Sequence, residues 1–346
     1  MSSRIQRALV TGVGGQDGAW LAAHLLRAGT EVIGTHRPAS PSGNWRLDEL
    51  GLSRHRLLEL VALDTIDPKA CQRIIADTAP QAIFHLAGQS RVADSFRDPL
   101  GSVQANGLAT LNLLEAMRRH APDAHLVLAS SAEIFGSPRV APQDEHTPTV
   151  AASPYGLSKL VAHAGVGSWR ASFGLAASSA ILFNHESELR DEAFVTRKIT
   201  RAVARIALGR EHELALGNLD ARRDFGYAPE YVAALATMAA RETGDDYVLA
   251  TGHAASVRDF ATAAFAAGGI TLDWHGSGAD ELGVERDGGR IRVRVDTRLL
   301  RPVDAPLLVG NAARARAVLG FVPRVGLAEL TRRMVEADLA RERGKA

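Results

Sequence analysis

Ala8-Leu9-Val10-Thr11-Gly12-Val13-Gly14-Gly15-Gln16-Asp17-Gly18 is the stretch that decides the fold. Ala8 to Thr11 make a short β-type apolar run that stops at Gly12. A helical pattern follows from Ala19 to Ala28, with Trp20, Leu21, Leu25 and Leu26 at helical spacing and Gly29 as its stop. A glycine-rich turn therefore sits between a first strand and a first helix. Its spacing, Gly12-x-x-Gly15-x-x-Gly18, differs by one residue from the G-x-G-x-x-G of a dinucleotide-binding turn. The physics is the same: a tight turn, a backbone free of side chains where a pyrophosphate approaches, and a helix N-terminus aimed at negative charge.

Outward from this turn, β-type runs recur at Glu31–Thr35, Leu58–Leu63, Ala82–Leu86 and Leu126–Ala129, with helical segments at Asp67–Ala76 and Val103–Arg119. Strands alternating with helices predict a parallel sheet covered on both faces, and near-continuous apolar strands are what two-sided burial requires. The fold class is α/β: a Rossmann-type, doubly wound parallel sheet. After about Phe183 the pattern loosens into a helix at Phe194–Leu208 and short strands with Gly-rich turns. A smaller α/β lobe is expected there, with residues 1–184 as the nucleotide-binding domain and 185–346 mainly the substrate lobe, its segments interleaved with the first domain.

The ends of the early strands report on the ligand. A site that prefers NAD places Asp or Glu at the end of the second strand to hold the ribose hydroxyls. Here the sequence reads Thr35-His36-Arg37-Pro38, and Arg37 suits a 2′-phosphate, so NADP is the expected cofactor. Asp64, ending the third strand, is placed to bond an adenine amino group. Leu86-Ala87-Gly88-Gln89-Ser90 leaves the fourth strand with small residues that admit a cofactor backbone.

Tyr155 and Lys159, four apart at the start of a helix, share a face. An ammonium beneath the phenol is expected to lower its pKa and let it take a proton from a sugar hydroxyl. Ser131 and Glu133, in Ala129-Ser130-Ser131-Ala132-Glu133, follow the fifth strand. Ser131 supplies a hydroxyl for the reacting oxygen. Glu133 is an acid/base that plain oxidoreduction does not need, which points to proton removal beside a carbonyl and hence to elimination.

Bulk composition agrees with a soluble enzyme. Forty Lys and Arg against thirty-nine Asp and Glu give a formal charge of +1, without the basic excess of a nucleic-acid or membrane-surface binder. The one cysteine, Cys71, excludes an intrachain disulfide and lies in an amphipathic pattern as a small buried hydrophobe. No apolar run approaches a membrane span and no leader precedes the glycine turn, so a reducing, cytoplasmic location is expected. No metal site is read.

Taken together, Thr11–Gly18, Ser130–Glu133, Ser153–Lys159, Leu182–Ser187, Phe194–Lys198, Leu216–Asp224, Ala250–Gly252, Ser256–Arg258 and Arg301-Pro302 closely resemble the GDP-mannose 4,6-dehydratase family, over nearly the whole chain. That resemblance implies a redox-neutral cycle on a GDP-sugar, with Ser131, Glu133, Tyr155 and Lys159 catalytic. It implies cofactor contacts at Gly12, Val13, Gly14, Gly15, Gln16, Asp17, Arg37, Asp64, Thr65, Leu86, Ala87, Gly88, Gln89, Ser90, Lys159, His185 and Arg190. Substrate contacts fall on Ser90, Asn184, Val195, Lys198, Asn218, Arg223 and Arg301. It implies a homodimer or homotetramer, with a four-helix interface at Val103–Arg119 and Tyr155–Ser172. The chain departs from the family at Ser131, where Thr is usual, at Arg37-Pro38-Ala39-Ser40, at Gly101, at Glu188–Ala193 and at Leu299-Leu300.

Overall fold

The computed structural model describes residues 5–37, 44–300, 303 and 305–344. Its main sheet is built from β1 (Arg7–Thr11), β2 (Glu31–His36), β3 (Leu58–Ala62), β4 (Ala82–His85), β5 (His125–Ala129), β6 (Ala177–Leu182) and β7 (Asp246–Leu249). The principal helices are α1 (Gln16–Arg27), α2 (Pro68–Thr78), α3 (Ala109–His120), α4 (Pro154–Phe173), α5 (Val195–Ala207), α6 (Ala228–Ala239), α7 (Val257–Ala267) and α8 (Leu327–Arg343).

The strands lie in the order β7-β6-β5-β4-β1-β2-β3, all parallel. The chain winds one way from β1 to β3 and the other way from β4 onward, so the reversal falls between β1 and β4. The crevice beyond the strand ends at such a reversal is where ligands bind in open α/β sheets. On one face α1 and α6 cover the sheet through Leu21, Leu25, Tyr231 and Leu235. On the other, α2, α3 and α4 pack through Ile75, Leu113, Leu114 and Val166. Each fully buried side chain of this size contributes about 1.5–3 kcal/mol.

β6 and β7 are strands that the sequence reading did not name. Ser178 and Ser179 sit within β6; the Ser178 hydroxyl meets His125 Nε2 at 2.8 Å and accepts the Asp245 N–H at 3.0 Å, while the buried Ser179 hydroxyl has no protein partner. The predicted helix Val103–Arg119 is longer and not α-helical throughout. It begins at Pro99 and passes through a π-helical turn at Gln104–Leu108 before α3.

The lobe has its own core. α5, α7 and α8 close around strands Leu214–Leu216, Leu272–His275, Leu282–Glu285 and Ile291–Val295, burying Ile199, Val203, Phe260, Phe265 and Met334. Within it Arg197 and Asp338 form a buried ion pair at 2.7 Å, with Thr200 donating to the same carboxylate at 2.8 Å. A three-stranded sheet joins the two parts, with Arg222–Asp224 between Ala254–Ser256 and Leu307–Leu308. Among the described residues no helix is long and apolar enough to cross a membrane.

Candidate active site

The glycine turn is shaped by what a side chain would strike. Gly12 has φ +73°, and a Cβ there would lie 2.8 Å from the Ala87 backbone. A Cβ on Gly18 would lie 2.3 Å from Gly12 O, so only glycine lets α1 start this close to β1. A Cβ on Gly15 would meet only Gly12 O, at 3.2 Å, and the space in front of the turn is open. Gly15 begins α1 with no side-chain cap, leaving the helix N-terminus to face that space.

The space is a cleft of about 500 Å³ at the sheet reversal. Of the expected cofactor contacts, Gly12, Gly14, Gly15, Gln16, Asp17, Arg37, Thr65, Leu86, Ala87, Gly88, Gln89, Ser90 and Arg190 line it. Three do not. Val13 is fully buried and packs under Gly34. Asp64 is exposed, and its carboxylate accepts the Ile66 N–H at 3.0 Å in a local turn. His185 is buried behind the cleft wall, with Nδ1 on Phe183 O at 2.7 Å, Nε2 on Asp17 at 2.9 Å and its ring stacked on Tyr231. Residues 38–40, after Arg37, lie outside the described residues.

Asp17 and His185 are a buried pair. Burial pushes the Asp17 carboxyl up, but His185 and the hydrogen bonds outweigh it and hold it at about 2. Burial pulls His185 down, and Asp17 more than restores it, so the imidazole is raised. The segment from His185 to Asp191 is bound across the start of α1. Gln16 donates to His185 O at 3.0 Å, the Ser187 hydroxyl donates to Gln16 at 2.9 Å, and Trp20 donates to Ser187 at 3.1 Å. This segment presents Arg190 to the cleft, paired with Glu186 at 2.9 Å and stacked on Phe194.

Tyr155, Ser131 and Glu133 come together outside the cleft lining, near enough for the lining residues Asp17 and Arg190 to act on the phenol. Ser153 caps α4 by accepting the Gly156 N–H at 3.0 Å, and Tyr155 N donates to Ser95 at 3.0 Å, which fixes the first turn. The Ser131 hydroxyl accepts the Glu133 N–H at 3.2 Å and lies close enough to the Tyr155 phenol to favour its ionisation. Lys159 Nζ donates to Ala129 O at 3.0 Å and lies 6.0 Å from the centre of the Tyr155 ring.

The electrostatics reverse one expectation. Burial first, with Glu133 and Asp17 adding to it, pushes Tyr155 up to about 12 against the opposing pull of Ser131 and Arg190. Burial also brings Lys159 down to about 8, against Asp17. The ammonium is turned to a main-chain carbonyl, and a desolvated phenol resists ionisation.

The expected substrate contacts are more dispersed. Ser90 lines the cleft. Lys198, on α5, donates to Ala215 O at 2.7 Å. Arg223 is buried, with Nη1 on Ala305 O at 2.7 Å. Asn218 is exposed and accepts the Asp220 N–H, and Asn184 O accepts the Gly226 N–H at 2.8 Å. Val195 opens α5. Arg301 lies outside the described residues.

Two residues were missed in the sequence. Asn106, in the π-helical turn, is buried and joins the two halves of the site: Nδ2 reaches Ser158 at 2.8 Å and Gln89 O at 3.0 Å, while Oδ1 accepts the Gln89 N–H at 2.9 Å. An Asn-Gly pair inside a helical run was the available signal. Arg46 lines the cleft with its guanidinium buried, and nothing in its local sequence marks it. Among the described residues no group of three His, Cys, Asp or Glu is arranged to hold a metal.

A glycine-cradled cleft at the reversal of a parallel sheet, with Tyr and Lys on the helix beside it, defines a nucleotide-binding enzyme of the extended short-chain dehydrogenase/reductase type. The family model for GDP-mannose 4,6 dehydratase matches residues 9–334. The GDP-mannose 4,6-dehydratase of Sinorhizobium fredii (strain HH103) is 42% identical over 342 residues, covering 97% of each chain. The human GDP-mannose 4,6 dehydratase is 38% identical, covering 96% of this chain and 91% of that protein. The chain belongs to the GDP-mannose 4,6-dehydratase family. Among solved structures, RMD from Pseudomonas aeruginosa complexed with NADPH superposes with a TM-score of 0.76 at 23% identity, over 97% of this chain and 99% of that one. A Stenotrophomonas maltophila UDP-glucose-4-epimerase with bound NAD gives 0.81 at 21% identity, over 98% and 99%. Identities this low speak for the fold alone.

Proposed function

We propose that this chain converts GDP-mannose to its 4-keto-6-deoxy product with NADP as cofactor. The observation that carries the reading is the meeting of Ser131, Glu133 and Tyr155 beside the glycine-cradled cleft, where the Glu133 charge acts on the Tyr155 hydroxyl. Family membership fits the substrate. NADP is favoured over NAD by Arg37 lining the cleft beyond β2 with no acid at the strand end.

The cleft fits a dinucleotide on its own geometry. The glycine backbone and the uncapped start of α1 would hold the pyrophosphate, Arg37 the 2′-phosphate, Thr65 the adenosine end and Leu86 to Ser90 the nicotinamide side. When bound, NADP supplies a reversible hydride acceptor. The protein supplies the rest. Tyr155 takes the proton of the C4 hydroxyl, and Ser131 hydrogen-bonds the same oxygen. Lys159, held on Ala129 O, keeps positive charge near the phenol. Glu133 removes the C5 proton once C4 is a ketone, and the C6 hydroxyl leaves as water with a proton from Glu133 or Ser131. With the hydride given back to C6 and a proton restored to C5, the net change is loss of one water. Lys198 and Arg223 would face the diphosphate, exchanging their carbonyl partners for charged oxygens, and Arg301 would add a further cation. Asn184, Val195 and Asn218 would complete the substrate contacts.

Incubation with GDP-mannose and a trace of NADP⁺ is expected to give a product lighter by one water, with no accumulation of reduced cofactor, read by mass spectrometry. Glu133→Gln should lower turnover by roughly 10²–10⁴-fold while NADP⁺ binds as before. Full turnover by that variant would remove the elimination base from the scheme.

A further inference from the structure

Arg46 is the most deeply buried cation on the cleft wall, 4% exposed. Its guanidinium reaches in three directions. Nε donates to Leu189 O at 2.6 Å, Nη1 donates to Gly14 O at 3.0 Å, and Nη2 stands 3.4 Å from the Asp191 carboxylate. The group also lies over the Trp45 ring, 4.5 Å from its centre. One planar fork thus joins the phosphate turn to the segment that carries Arg190, between residues separated by 32 and 143 positions in sequence.

We propose that Arg46 is a positioning residue of the dinucleotide site, clasping the Gly14 carbonyl to the Leu189–Asp191 backbone so that the turn and Arg190 face one ligand in fixed register. The inference rests on the dinucleotide reading above and adds a residue that reading did not contain. Three features carry it. First, the Gly14 carbonyl is held by Arg46 at 3.0 Å, which fixes an acceptor oxygen of the phosphate turn on a cation. Second, the geometry needs two donors at a fixed angle, which a guanidinium has and an ammonium lacks. Third, the compensation of this buried charge is incomplete. Its anionic neighbour is Asp191, at 3.4 Å with a side chain 48% exposed, while Arg190 and Arg197 are nearby cations. A buried guanidinium beside a cleft in this state favours an anion arriving there.

The clasp predicts a pattern of loss different from that of a residue that reads the 2′-phosphate. Arg46→Met should weaken NADP⁺ and NAD⁺ by the same factor, about tenfold to a hundredfold, because both share the pyrophosphate. Arg37→Ala should weaken NADP⁺ alone. Arg46→Lys should behave like the Met variant, since one ammonium does not span both carbonyls. Dissociation constants come from titration calorimetry on the purified full chain, with the ligand-free unfolding midpoint measured alongside. If the Met variant lowers that midpoint, Arg46→Lys, which keeps the charge and the alkyl stem, carries the comparison. Equal loss for both dinucleotides supports the clasp. Unchanged affinity for both, or a loss confined to NADP⁺, overturns it. Failure of the unaltered protein to bind either dinucleotide would overturn the cofactor reading itself, which separates the two.

Discussion

At the scale of single residues, the site is a set of charges held against their preferences. Tyr155 and Lys159 are both driven toward their neutral forms by burial, to about 12 and about 8. A phenol in that state is a poor base, and the opposing pull of Ser131 and Arg190 is outweighed. A positive charge delivered to the cleft would shift the balance toward phenolate, since a neighbouring cation favours the anionic form. All four tyrosines of the chain, Tyr155, Tyr227, Tyr231 and Tyr247, are raised. Ligand-free protein is therefore expected to show essentially no phenolate absorbance at about pH 9, below the ordinary tyrosine value. Adding saturating NADP⁺ should bring out a single-tyrosine signal that is absent in Tyr155→Phe. A cofactor-independent signal at that pH would contradict the burial-dominated balance.

At the scale of elements, the spacing between α4 and the Ser131–Glu133 turn decides whether acid and phenol meet. Gly156 sets that spacing: a Cβ there would lie 2.6 Å from the Glu133 main-chain oxygen. Backbone yields less readily than the end of a flexible side chain, so Gly156→Ala should push the Glu133 turn outward at an overpacking cost of about 1–3 kcal/mol. The expected result is lower kcat with NADP⁺ affinity retained, because the phosphate turn sits on a different element. Steady-state kinetics beside a dinucleotide titration would show it. Asn106 works at the same scale, tying α4 through Ser158 to the Gln89 backbone at the end of the β4 loop. Neither tie was legible beforehand. The Tyr-x-x-x-Lys spacing, the glycine turn and the strand-end Arg37 were legible, because each lies within one element and its meaning follows from local periodicity.

At the scale of the whole molecule, large apolar side chains stay exposed on the paired helical region around α3 and α4: Leu100 at 77%, Leu108 at 42%, Leu157 at 49% and Phe173 at 51%. Apolar surface of this kind on adjoining helices suits a second copy of the chain, as the family resemblance also suggests. Leu100→Glu with Leu157→Glu should yield a monomer by light scattering after gel filtration, with cofactor binding retained. An unchanged mass would place any self-association elsewhere.

The sequence by itself determined the parallel α/β architecture, the phosphate turn and the four side chains on which the chemistry is proposed. These are written in short-range patterns: apolar runs of strand length, glycines where a Cβ would collide, and residues one helical turn apart. Tertiary structure alone decided which charges face one another. Asp17 meets His185, Gln16 meets the His185 carbonyl 169 positions away, and Arg46 meets Leu189. It also decided the ionisation of the phenol and the ammonium, because desolvation depends on what the rest of the chain folds over a group, and no local pattern specifies that.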